Sequence, residues 1–165
     1  MGYILIFISL IGIIYQDFST RQIHLGWLMG WLTGICITVS INWMVTLINL
    51  LLISFQLLLL TLYFSLKEKR LVYLPDVYLG WGDILFFIPL CIWFSTGNLV
   101  LFFIIGFLGT LVGFVIFRLF RADASPFIPL AGCLSIFLLF LMGLHCCHLF
   151  NFEDENLMYW VVQYR

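Results

Sequence analysis

Charged residues are so sparse along this chain that they leave four long uncharged blocks, 1–16, 22–66, 84–117 and 124–152. Only 9% of the 165 residues are charged and 64% are apolar. A soluble domain carries about 25% charged and about 45–50% apolar residues. A chain with so little charge has no means of covering a water-facing surface, and its hydrophobicity excludes disorder and collagen-like repetition. The class that remains is an integral membrane protein, with lipid as the main solvent.

A helix that crosses a bilayer needs about 20 mostly apolar residues. The block 22–66 is too long for one such helix and carries Ser40, Ile41 and Asn42 in its middle, where it divides. The block 84–117 divides at the turn-forming run Ser95–Thr96–Gly97–Asn98. The expected fold is therefore all-α, a polytopic membrane protein with six transmembrane helices over 2–16, 24–40, 43–65, 83–95, 98–119 and 127–149. Residues 1–165 form one membrane-embedded domain, without internal repeats or a low-complexity linker. The blocks lack a period of two, which argues against a β-barrel.

Arg21, Lys67, Lys69, Arg70, Arg118 and Arg121 all fall in the loops after spans one, three and five. By the positive-inside rule those loops are cytoplasmic. The opposite side receives short polar turns and the acidic run Glu153–Asp154–Glu155. The first span has no basic region before it and no small-x-small cleavage site before Asp17, so a cleaved signal peptide is not expected. The expected location is the inner (cytoplasmic) membrane, multi-pass, with no nucleic-acid partner.

Of the five cysteines, none forms a C-x-x-C pair. His145 and His148 share a helix face at i, i+3, but the intervening Cys146 and Cys147 diverge and no carboxylate accompanies them. That run is expected to pack or to lie at the interface rather than to bind a metal. No cofactor is expected.

Ionisable groups near a span are costly, so each acid there requires a reason. Glu68 lies among Lys67, Lys69 and Arg70, and Asp123 belongs to a loop. Asp76 follows Pro75 with no glycine pair or helix start beside it. Asp17 and Asp83 remain, each at the cytoplasmic end of an expected span. Taken singly, Asp17 is a juxtamembrane acid facing Arg21 four residues on, and Asp83 is a helix N-cap. Gly80 and Gly82 around Trp81 are expected to allow close backbone approach and positive φ. As a pair the two acids are more informative. Two carboxylates held close together share a proton, so that one activates water as a base while the protonated partner polarises a carbonyl. Such a pair titrates as a unit, and burial in apolar surroundings is expected to keep one member protonated near neutral pH. No Ser/His/Asp or H-e-x-x-H arrangement competes.

Three segments resemble the type IV prepilin peptidases and preflagellin peptidases, aspartic membrane proteases of the G-x-G-D type. They are Asp17-x-x-Thr20-Arg21-x-Ile23, Gly80-x-Gly82-Asp83 and Pro126-Phe127-Ile128-Pro129-Leu130-Ala131. The resemblance covers essentially the whole chain. It implies Asp17 and Asp83 as catalytic residues, with Arg21, Gly80, Gly82, Pro126 and Pro129 as supporting positions. The chain departs from the family pattern at His24–Leu25, where Pro-Asn is usual. Leu85 stands where Lys is usual, and Ile128 where Gly is usual. The loop between Asp17 and Ile23 is too short for the cysteine-containing methyltransferase region of larger relatives.

The expected activity is cleavage of short basic leaders from pilin-like precursors within the membrane. The alternative is a transporter or secretion-apparatus subunit whose acids form an ion site or cap helices. A presenilin-like protease fits less well, because Gln16 rather than Tyr precedes Asp17 and the chain is short.

Overall fold

Backbone amides in lipid must be satisfied within their own segment, and long apolar blocks achieve this by winding into helices. The computed structural model describes residues 1–20, 22–71, 79–120, 129–147 and 152. Among the described residues there are six helices and no strand: α1 (Gly2–Ser19), α2 (Leu25–Thr38), α3 (Trp43–Glu68), α4 (Trp81–Trp93), α5 (Thr96–Phe120) and α6 (Leu130–Cys146).

The all-helical expectation is met, and the breaks fall where the polar residues are. Asn42 caps α3, its side-chain oxygen accepting from the Met44 and Val45 amides at 3.2 and 3.4 Å. Three segments, Gly2–Ser19, Trp43–Glu68 and Thr96–Ile116, are long and apolar enough to cross a membrane. The others, α2, α4 and α6, have 14, 13 and 17 residues. At 1.5 Å per residue they reach only about 20–26 Å, short of a hydrocarbon core about 30 Å thick.

α1 packs against α2 and α6, and α3 packs against α4 and α5. α4 touches α2, α3, α5 and α6, which explains why Phe86, Phe87, Leu90 and Trp93 are buried although the helix is short. The α1–α2 seam is built from small residues. A β-carbon at Gly34 would come within 2.7 Å of Ile6 and 3.1 Å of the Gly2 carbonyl. Small side chains allow such close helix contact without help from a hydrophobic drive between apolar surfaces in lipid.

The end of α4 is held from the side. Asn49, fully buried within α3, donates from Nδ2 to the Cys91 and Phe94 carbonyls at 3.1 and 2.9 Å. The last carbonyls of any helix lack intrahelical partners, and this one side chain supplies donors to one of them and to the carbonyl of the capping residue Phe94. The adjoining turn binds Phe152, whose carbonyl accepts from the Ser95 amide (3.1 Å) and Asn98 Nδ2 (3.2 Å). The Phe152 ring lies 4.3 Å from Trp93 and 5.1 Å from His145, centroid to centroid. His145 also meets Tyr3 Oη at 3.3 Å, joining the end of α6 to the start of α1.

Candidate active site

Asp17 stands in the last turn of α1 and is 6% exposed. The carbonyl end of a helix is a poor place for an anion, and no basic residue lies in that turn. The compensation comes from another helix. The Gly132 amide, in the first turn of α6, donates to Asp17 Oδ2 at 2.5 Å. Helix N-termini present unsatisfied N–H groups and a positive dipole end, both favourable to a carboxylate.

Asp83 lies in the first turn of α4. Its Oδ2 accepts from the Gly80 amide at 3.3 Å, while its own amide donates to the Gly80 carbonyl at 3.1 Å. Gly80, not Asp83, is therefore the N-cap. Asp83 Oδ1 reaches across to the Ala131 amide at 3.2 Å. The two carboxylates thus accept from consecutive amides of α6, and each lies in the other's field.

A cleft of about 270 Å³ opens over the pair, lined by Asp17, Gln22, Ile23, Gly80, Trp81, Gly82 and Asp83. Gln16 fixes its α2 side, Oε1 accepting from the His24 amide at 2.9 Å. Thr20 Oγ1 donates to the Gln16 carbonyl at 3.1 Å and to the Gln22 carbonyl at 3.3 Å. Ile23 is pressed against Gly82, where a β-carbon would stand 3.1 Å from its side chain.

Both acids singled out in the sequence come together with Gly80 and Gly82 in one cleft. The glycines act differently from expectation. No described glycine has positive φ, and Gly80 is extended at φ −69°, ψ 150°. Gly82 is needed for room beside Ile23 rather than for a left-handed backbone. Pro129 is the N-cap of α6, and its carbonyl accepts from the Cys133 amide at 3.1 Å. Arg21, Asp76 and Pro126 lie outside the described residues, as does His148 of the histidine–cysteine run.

Ala131, Gly132 and Gln16 belong to the site, although the sequence assigned none of them a role in it. Two of them act through backbone amides, which carry no side-chain signature. The small pair Ala131–Gly132, two residues after Pro129, was the available clue. At Gly132 a β-carbon would meet Asp17 Oδ2 at 3.0 Å and Phe18 at 2.9 Å. Among the described residues no group of three or more His, Cys, Asp or Glu side chains comes together.

No family model, curated protein or solved structure matches the chain.

Proposed function

We propose that the chain is an aspartic endopeptidase of the membrane, similar in activity to the prepilin peptidases, with Asp17 and Asp83 as its catalytic residues. The observation that carries this reading is the meeting of two acids from remote helices, in one cleft, on adjacent amides of a third helix.

In this mechanism the pair holds one proton. The ionised carboxylate takes a proton from water as its oxygen bonds to the scissile carbonyl carbon, and the protonated partner donates to the carbonyl oxygen. Collapse of the tetrahedral adduct re-forms a carbonyl as one of its hydroxyls gives its proton to the pair, breaks the C–N bond, and hands the leaving amine the pair's other proton, so the pair again holds one. Water is the only co-reactant and no cofactor takes part. The substrate would be a pilin-like precursor, its apolar helix in the bilayer and its basic leader at the cytoplasmic cleft. All six helices would cross the membrane, α2, α4 and α6 being short because their ends at the site stop below the membrane surface. The inner membrane is the proposed location.

A second reading has support in the same hydrogen bonds. Carboxylates that accept from helix-terminal amides also pin helices together, so the acids could be structural clamps in a non-enzymatic membrane protein. Co-expression with a leader-bearing precursor separates the two. Catalysis predicts that Asp17→Asn and Asp83→Asn accumulate at normal levels with the precursor uncut, and that Asp76→Asn cleaves normally. Cleavage by either of the first two variants would overturn the dyad, and loss of protein without a specific processing defect would favour the clamp.

A further inference from the structure

One large side chain in the wall of the acid cleft has no part in the chemistry described above. Trp81 opens α4 and lines the cleft beside Asp17 and Asp83, yet it is 56% exposed. Tryptophan at the end of a membrane helix often serves as an interfacial anchor, but this one borders the acids as well. Glycines flank it on both sides. Gly82 makes room for Ile23, whereas nothing in the fold requires glycine at position 80. Its extended backbone, φ −69° and ψ 150°, suits any residue. A β-carbon there would meet nothing nearer than Asp83 Oδ2 at 3.5 Å. The missing side chain leaves space in the cleft wall next to Trp81.

The charge of the cleft restricts its occupant. Asp17 and Asp83 are the only ionisable side chains in its described wall, which otherwise holds Gln22, Ile23, Trp81 and the two glycines. A pair that shares one proton keeps one negative charge, and no described side chain in that wall is basic. The face of a tryptophan attracts a cation within about 6 Å of the ring centre, more strongly than tyrosine or phenylalanine does. Carboxylates and an indole in one opening therefore favour the same ligand group, an ammonium or a guanidinium. The reach is short. Two residues apart on a helix, the α-carbons of Trp81 and Asp83 are separated by about 5–6 Å. An extended peptide advances about 3.3–3.6 Å per residue, so a cation at Trp81 belongs to a residue near the bond that the acids address.

Resting on the peptidase reading above, we infer that Trp81 is a specificity-determining residue whose indole face receives a lysine or arginine side chain of the leader, close to the scissile bond. An interfacial anchor would serve every leader alike, and a cation seat would not.

The test measures binding and cleavage separately, with the full chain in phosphatidylcholine nanodiscs that add no net lipid charge. The probes are two labelled soluble peptides spanning a leader and its cut site, identical except that methionine replaces the leader lysines in the second. Fluorescence anisotropy should show the lysine peptide binding the tighter of the two. Trp81→Leu should weaken the lysine peptide about fivefold, equivalent to about 1 kcal/mol, and leave the affinity of the methionine peptide in place. Trp81→Phe, which keeps a weaker π face, should fall between. Trp81→Met takes the place of Trp81→Leu if circular dichroism shows that the latter does not fold. Equal weakening of both peptides, no weakening, or no preference of the unmodified chain for lysine would overturn the inference. Selective binding of the lysine peptide with neither peptide cut would fault the peptidase reading while upholding the cation seat.

Discussion

Asp17 and Asp83 are bound by neighbouring amides of one helix, Gly132 donating to the first and Ala131 to the second. The geometry resolves an electrostatic conflict. Asp17 lies at the unfavourable end of α1, and a second carboxylate beside it adds repulsion. The start of α6 offsets both with N–H groups that have no intrahelical partner.

The most direct consequence concerns Gly132. Alanine there would push against Asp17 and Phe18 at contacts of 3.0 and 2.9 Å. Overpacking costs about 1–3 kcal/mol, partly offset by a helix-propensity gain of about 1 kcal/mol. Gly132→Ala should therefore remain abundant while precursor cleavage falls at least about tenfold, since small displacements of a catalytic group weigh heavily. Gly143→Ala is the matched control, because nothing lies within 4 Å of its new β-carbon. A time course of cleavage in isolated membranes measures both.

The rate should be bell-shaped in pH. On the acid side the base carboxylate takes up a second proton, and on the alkaline side the pair loses the proton it shares. Both limbs belong to the pair rather than to one residue. A profile with a single limb between about pH 4 and 9 would contradict a shared-proton mechanism.

Gln16 should act through position. Its side chain holds the His24 amide at 2.9 Å and so sets Gln22 and Ile23 along the cleft. Gln16→Ala should raise KM more than it lowers kcat. Glu at the same position keeps an acceptor oxygen and should restore most of the KM. Equal loss of kcat and no rescue by Glu would make it a structural residue only.

Asn49 carries the clearest stability prediction. Asn49→Leu keeps the side chain's bulk but leaves the Cys91 and Phe94 carbonyls without its two donors. Buried unsatisfied acceptors cost about 1–3 kcal/mol. The variant should melt several degrees lower in detergent, with its helix content intact before the transition.

The helices were legible because charge and turn residues are rare enough to mark the breaks. Boundaries moved where tertiary contacts intervened. α1 extends to Ser19, past Asp17, because α6 accommodates that acid. α4 starts at Trp81 rather than at Asp83 because Gly80 is the cap. The acid pair was legible because few other charges lacked a plain explanation. The amides that hold it were not, and neither was the Asn49 grip on α4. Both depend on which helix ends meet in space, and residue type carries no record of that.

The order of the chain gives the α6 terminus one more meaning. During synthesis Asp17 and Asp83 are both made well before Ala131 and Gly132. Until α6 arrives, Asp17 lacks the Gly132 amide and Asp83 has only its local Gly80 amide, so nothing holds the two acids to a common support. Completion of α6 is therefore the step that assembles the acid pair, so a stalled or truncated chain would carry both carboxylates without the helix that joins them.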